Sequence, residues 1–274
     1  MDTVTRAEAA QKLFDAHAGR KPIEPLIESY PDMTVTDSYE IQRLQIRRRV
    51  DAGARIRGHK VGLTSAAMRR QLGVNQPDFG VLLDEMFCAE NTEIDITKFL
   101  QPRIEPEVAF VLAKPLRGPG VTVADAAAAV DFVLPAFEII DSRITDWNIG
   151  FLDTVADNAS SGALVLGSDP VRLTATDLRL SGCVLHRNGR VVGSGAGGAV
   201  LGSPLNSLAW LANTVGPLGV TLEAGHVVLP GSITASVPVA GGDTFSAVFA
   251  GIGRVAVAFT VGQTPELGEG APNE

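Results

Sequence analysis

Cysteine is nearly missing from this chain of 274 residues, with only Cys88 and Cys183. The two stand far apart and make no metal-ligand spacing, so a reduced, cytosolic protein is the default reading. Histidine is scarce as well. His17, His59, His186 and His226 form no ligand pattern, which disfavours zinc. An excess of basic charge is also lacking: 23 Lys and Arg stand against 31 Asp and Glu, for a formal net charge of -8. That argues against a nucleic-acid partner. The cluster Arg47-Arg48-Arg49 reads instead as a solvated face near a helix C-terminus, where the dipole favours cations. No apolar run reaches the roughly 20 residues a bilayer span needs, so no membrane partner is expected. The polar start Met1-Asp2-Thr3-Val4-Thr5 lacks the apolar stretch of a signal peptide. There is no internal repeat and no regular strand–helix alternation, which disfavours Rossmann and TIM architectures. A hydrophobic content of 45% excludes wholesale disorder.

What is present divides along the chain. The first third reads as helical. Thr5-x-x-Glu8 has the form of a capping box ahead of Ala9, Ala10, Leu13 and Phe14, and a second helix is expected from about Asp37 to Val50. Pro22, Pro25 and Pro31 mark the loop between them. A short helix is expected from Thr64 or Ser65 to Leu72-Gly73. Strands are then expected at Arg103–Leu112, Phe132–Ile140, Gly162–Leu166, Val227–Leu229, Ile233–Val239, Thr244–Val248 and Arg254–Thr260, with helices at Val123–Val130 and Leu205–Val215. Asn188-Gly189 between two valine-rich segments is a hairpin signal. The expected fold is α+β: a helical N-terminal portion over 1–75, a curled, mixed, mostly antiparallel β core over 76–262, and a flexible tail over 263–274.

The chemistry concentrates in Arg103-Ile104-Glu105-Pro106-Glu107-Val108-Ala109-Phe110-Val111-Leu112. In a strand, residues two apart share a side, so Glu105 and Glu107 face one way and Ile104, Val108, Phe110 and Leu112 the other. Paired carboxylates are either a solvated strand face or ligands of a hard cation. Glu138, inside Leu134-Pro135-Ala136-Phe137-Glu138-Ile139-Ile140, needs a partner: an arginine such as Arg143, or a metal shared with the other two glutamates. Three carboxylates plus waters suit Mg²⁺ or Mn²⁺. Lys60, in Gly58-His59-Lys60-Val61-Gly62, is an exposed loop residue or, near a metal, a proton carrier. Asp78, in Asn75-Gln76-Pro77-Asp78-Phe79-Gly80, is a turn residue or the proton partner of that lysine. The segment Asp153 to Gly162 is a turn-rich connector or a source of hydroxyls and N–H groups for a carboxylate. Gly193-Ser194-Gly195-Ala196-Gly197-Gly198 lacks the lysine–serine ending of a phosphate loop and reads as a loop towards the next helix.

Together these blocks resemble the 2-keto-4-pentenoate hydratase (2-hydroxypenta-2,4-dienoate hydratase) family of the fumarylacetoacetate-hydrolase-like superfamily. The resemblance runs from about Tyr39 to Thr260, through the segments around Lys60, Asp78, Glu105-Pro106-Glu107, Glu138-Ile139-Ile140-Asp141-Ser142-Arg143 and Asp153–Gly162. It implies a β core of the fumarylacetoacetate hydrolase type and Mg²⁺ or Mn²⁺ on Glu105, Glu107 and Glu138. It further implies proton handling by Lys60 and Asp78, and substrate near Ser160. The implied reaction is hydration of a 2-hydroxy-2,4-dienoate to a 4-hydroxy-2-oxo acid in aromatic meta-cleavage catabolism. The implied setting is a cytoplasmic homo-oligomer, with the downstream aldolase of the pathway as a candidate associate. 4-Oxalocrotonate decarboxylase resembles the same blocks and is the alternative, although Asp153–Gly162 is closer to the hydratase form. A fumarylpyruvate-type hydrolase would need a His–Glu pair early in the chain, and His17 and His59 have no convincing partner. His226 stands where relatives often carry an acidic residue and is given no role.

Overall fold

The computed structural model describes residues 1–71 and 73–262. Leu72 and the expected tail at 263–274 lie outside the described residues. The N-terminal region is helical: α1 (Thr3–Gly19), α2 (Leu26–Ser29) and α3 (Val35–Asp51). The expected Thr5–Glu8 box does not start α1. Asp2 is the N-cap, and its carboxylate accepts the Thr5 N–H at 2.8 Å and the Thr5 hydroxyl at 2.7 Å. A carboxylate at the positive end of the helix dipole displaces the threonine hydroxyl from that role. At α3 a true box forms between Thr34 and Asp37. Buried Asp37 also binds Arg6 at 2.7 Å and the N-terminal ammonium at 3.2 Å, tying the start of α1 to that of α3. Ala9, Leu13, Leu26, Ile41, Ile144 and Ala156 close a small core beneath these helices. No described helix is long and apolar enough to cross a membrane.

The remaining elements are β1 (Ile56–Gly62), α4 (Ala66–Gln71), β2 (Asp78–Leu83), β3 (Phe87–Cys88), β4 (Glu93–Ile94), β5 (Arg103–Leu112), α5 (Val123–Ala129), β6 (Val130–Ile140), α6 (Phe151–Ala156) and β7 (Ser161–Leu166). After them come β8 (Gly182–Arg187), β9 (Arg190–Ala196), α7 (Pro204–Val215), β10 (Val227–Leu229), β11 (Val237–Pro238), β12 (Thr244–Phe249) and β13 (Gly253–Phe259). Seven strands run in the order β2-β1-β10-β5-β6-β7-β3, with β11 paired to β5. A second sheet runs β4-β13-β12-β8-β9. Most neighbours are antiparallel; β1–β10, β3–β7 and β4–β13 are parallel. The main core includes Ile104, Val108, Phe110, Phe137 and Ile139 of the first sheet and Phe245, Ala247, Val255 and Val257 of the second, with α7 packed on it. This is the expected α+β architecture.

Five local expectations differ. β1 and β2 are strands where a loop and a turn were expected. Ile56-Arg57-Gly58-His59-Lys60-Val61-Gly62 lacks apolar–polar alternation because it is an interior strand whose central residues are buried. Gly58 is required there, since a Cβ would sit 1.8 Å from the Val227 carbonyl of β10. The glycine-rich run continues the hairpin as β9, pressed so closely that a Cβ on Gly195 would meet the Ile233 carbonyl at 2.2 Å. The strand expected at Ile233–Val239 shortens to β11. The connector Asp153–Gly162 begins as α6.

Candidate metal centre

Parity places the carboxylates. Even-numbered β5 residues Ile104, Val108, Phe110 and Leu112 enter the main core, so Glu105 and Glu107 project from the opposite face. In β6, Phe137 and Ile139 enter the core and Glu138 takes the other side. The antiparallel register sets Glu105 directly across from Glu138, and Glu107 across from Ala136. Ligand oxygens of all three glutamates lie within 4.8 Å of one another. Glu107 and Glu138 are buried, and Glu105 is half-buried.

Opposed like charges destabilise a sheet, and burial penalises each further. Desolvation, then the charge of Glu138, lifts Glu105 to about 7. Glu107 rises well above the usual carboxylate range for the same two reasons, and burial raises Glu138. Two groups offset this. The Lys60 ammonium is 3.3 Å from Glu138 Oε1, and the Gly231 N–H donates to Glu107 Oε2 at 2.8 Å. Among the described residues, Glu107 Oε1 and both Glu138 oxygens still lack a hydrogen bond, because Lys60 sits at ion-pair distance without hydrogen-bond alignment. With an oxygen of Glu105 beside them, these unsatisfied hard oxygens are the kind of donor set that a hard divalent cation takes.

Lys60, on β1, is buried. Burial pulls its pKa down, but Glu138, Asp78, Glu105 and Glu107 hold it above the ordinary lysine range, so it remains an ammonium. Asp78 opens β2 opposite Gly62 of β1. Burial raises its carboxyl against the pull of Lys60, and Oδ1 has no hydrogen-bond partner among the described residues. Gly62 makes the room: a Cβ there would lie 2.2 Å from Asp78 Oδ1 and 3.4 Å from Lys60 Nζ. The pairing considered between Glu138 and Arg143 does not form. Arg143 Nε binds Asp157 at 2.5 Å, and its other nitrogens donate to the Asp157 and Ser161 carbonyls at 2.7 and 3.0 Å.

Ser160 is buried in a run of three left-handed residues, with φ of 53° at Asn158, 51° at Ala159 and 54° at Ser160. Such backbone is costly for non-glycine residues and needs compensation. Asn158 supplies it: Oδ1 accepts the Val81 N–H at 2.8 Å and Nδ2 donates to the Val81 carbonyl at 2.9 Å, so the side chain pairs with β2 as a strand would. The Ser160 hydroxyl has Thr154 as its neighbour, at 3.2 Å, rather than a glutamate. His226 lies outside this cluster, accepting the Glu223 N–H at 3.2 Å through Nδ1. Reading the sequence missed Gly231 and Gly62. A backbone donor has no side-chain signature, and Gly62 matters only once β1 and β2 are paired.

Residues 52–260 match the fumarylacetoacetate (FAA) hydrolase C-terminal family. The chain is 46% identical over 258 residues to a 2-keto-4-pentenoate hydratase of Paraburkholderia xenovorans (strain LB400), covering 94% of this chain and 96% of that one. Two solved structures of 4-oxalocrotonate decarboxylase from Pseudomonas putida G7 are similar in fold. One is complexed with magnesium and adipate, at a TM-score of 0.91 and 39% identity, over 94% of this chain and 98% of that one. The other is complexed with calcium and acetate, at 0.90 and 38%, with the same coverage.

Proposed function

This chain belongs to the fumarylacetoacetate (FAA) hydrolase C-terminal family, and we propose that it is a divalent-metal-dependent hydro-lyase acting on 2-hydroxypenta-2,4-dienoate (2-keto-4-pentenoate) or a substituted analogue. The product is a 4-hydroxy-2-oxo acid, within aromatic meta-cleavage catabolism. The observation that carries this reading is the joining of three clustered glutamates, two of them buried with unsatisfied oxygens, to a buried lysine–aspartate pair, in a chain 46% identical to a hydratase.

Glu105, Glu107 and Glu138 would hold Mg²⁺ or Mn²⁺. Bound there, the ion supplies Lewis-acid polarisation of the substrate's 2-oxygen. Hydration adds a proton at C5 and at C3 and a hydroxyl at C4, while the enol at C2 gives up its proton and becomes a ketone. Lys60, held as an ammonium, is suited to give a proton. Asp78, with a free Oδ1 and a raised pKa, is suited to take one from water. Ser160 lines the substrate from the segment that Asn158 fastens to β2, the strand carrying Asp78. Decarboxylation of 4-oxalocrotonate is the second reading, favoured by the fold likeness to the decarboxylase but at 39% identity rather than 46%. The resemblance alone supports a cytoplasmic homo-oligomer associated with the downstream aldolase.

An ultraviolet assay tests the reading. With Mg²⁺, the chromophore of 2-hydroxypenta-2,4-dienoate should decay, and 4-oxalocrotonate should release no CO₂. Chelator, or Glu107→Gln with an unchanged circular dichroism spectrum, should abolish the decay. Turnover that survives chelation sinks the metal assignment; CO₂ release without dienoate decay makes the enzyme a decarboxylase.

A further inference from the structure

Arg103 has no part in the chemistry above, yet it stands beside it. It opens β5 two residues before Glu105, so it projects from the same face as the glutamates. Its guanidinium lies over the Trp147 ring, 5.5 Å from the centroid. That indole is held by design of the backbone: Asp146 and Trp147 are both left-handed, with φ of 54° and 56°, and the indole N–H donates to the Gln101 carbonyl at 2.9 Å. Such strain persists only where surrounding contacts enforce it. Arg103 Nε is buried and has no acceptor among the described residues. Arg143 makes the contrast, since all of its nitrogens donate to protein oxygens. A buried donor with no partner is costly, and here it shares a strand face with the carboxylates Glu105 and Glu107, where an anionic ligand would be repelled without a cation to meet it.

We propose that Arg103 receives the carboxylate of the 2-oxo acid at the three-glutamate centre, offering Nε and a terminal N–H as a fork, with Trp147 holding the guanidinium in its plane. This rests on the reading of that centre as a divalent-metal site for a 2-oxo acid. Arginine fits the task where lysine would not, because two parallel N–H donors match a carboxylate and stacking on an indole fixes their direction. Glu105 already feels the cation, whose charge draws its carboxyl down against the stronger effects of burial and Glu138.

Oxalate is the probe, because both its carboxylates sit at the chelating end and none can reach a distal site. Calorimetric titration should show oxalate binding to the Mn²⁺-loaded wild type and not to the chelated protein. Arg103→Gln should weaken oxalate about 10- to 100-fold, and Arg103→Lys should fall between the two. Manganese affinity, read separately from the electron paramagnetic resonance of free Mn²⁺, should stay within about threefold or tighten, since a nearby cation has gone. Unchanged oxalate affinity in Arg103→Gln overturns the proposal. So does a parallel loss of Mn²⁺ affinity, which would make Arg103 a positioning residue for Glu105. Loss of adipate binding with oxalate retained would place Arg103 at the far end of a diacid and overturn it too. A wild type that binds no oxalate with Mn²⁺ defeats the reading of the centre and the proposal together; failure in the variants alone defeats only the proposal. Should Arg103→Gln not fold, Arg103→Lys at wild-type Tm carries the test, with a loss of threefold or more expected and none refuting.

Discussion

Glu105→Gln should stabilise the metal-free protein by roughly 3 kcal/mol at pH 8 and by less than about 1 kcal/mol at pH 5. Burial and Glu138 lift the Glu105 carboxyl from 4.5 to about 7. Between those values the folded state holds a proton that the unfolded state has lost. Stability from this group is therefore complete below pH 4.5 and is lost as pH rises to about 7. At about 1.36 kcal/mol per pH unit, the wild type gives up roughly 3 kcal/mol by pH 8. An unfolding entropy of about 2.1 cal/mol/K per residue turns this into a Tm difference of about 5 °C. Glutamine carries no charge at either pH and escapes the loss. Other groups titrate in the same range. His17, lowered by burial to about 4, and His59, lowered by burial to about 3, favour the folded state as pH rises towards 6.5. Asp157, raised by burial to about 6, acts in the opposite sense. All three are shared by wild type and variant and cancel in the difference. The assay is scanning calorimetry in chelator at pH 5 and pH 8, repeated with excess Mg²⁺. With Mg²⁺ the order should reverse, because the ion binds the wild type more tightly. If the variant is no more stable than wild type in chelator at pH 8, or gains as much at pH 5, the carboxylates are not in the electrostatic conflict described.

Lys60→Met should lower kcat by about 100-fold or more, as loss of a positioned acid does, without weakening Mn²⁺, because the residue removed is a competing cation; a kcat within threefold of wild type would take Lys60 out of the reaction. Asn158→Ala should cost about 2–4 kcal/mol, since the Val81 N–H and carbonyl are left buried without partners; urea unfolding reads this directly, and a loss below about 0.5 kcal/mol would show that the left-handed run does not depend on Asn158.

The strand carrying the glutamates was legible because its pattern is the plain one: a period of two, with aliphatic and aromatic residues on one side. The pairing of Glu105 with Glu138 was not, because register belongs to two strands at once and neither segment specifies it alone. Lys60 and Asp78 stood out as residues but not as positions. Gly58-His59-Lys60-Val61-Gly62 looks like a loop to any rule that counts apolar residues, yet its glycines serve close backbone approach and room for the Asp78 carboxylate. Arg143 was the obvious partner for Glu138 by proximity in sequence. The structure gives it to Asp157 and leaves Glu138 to Lys60, which lies far upstream in the chain but near it across the sheet.

β10 inserts between β1 and β5 and, among the described residues, is the only strand linking the half of the first sheet that bears Lys60 and Asp78 to the half that bears the glutamates. Gly231, which fastens Glu107, follows immediately. During synthesis, then, every side chain of the centre leaves the ribosome well before the strand that unites them. A nascent chain must hold four carboxylates and one lysine on two ribbons, fastened by the Asn158 side chain but not yet by a strand, until residues 227–231 arrive. The centre is in this sense a late event of folding, completed by backbone alone, and its appearance reports that the sheet has closed.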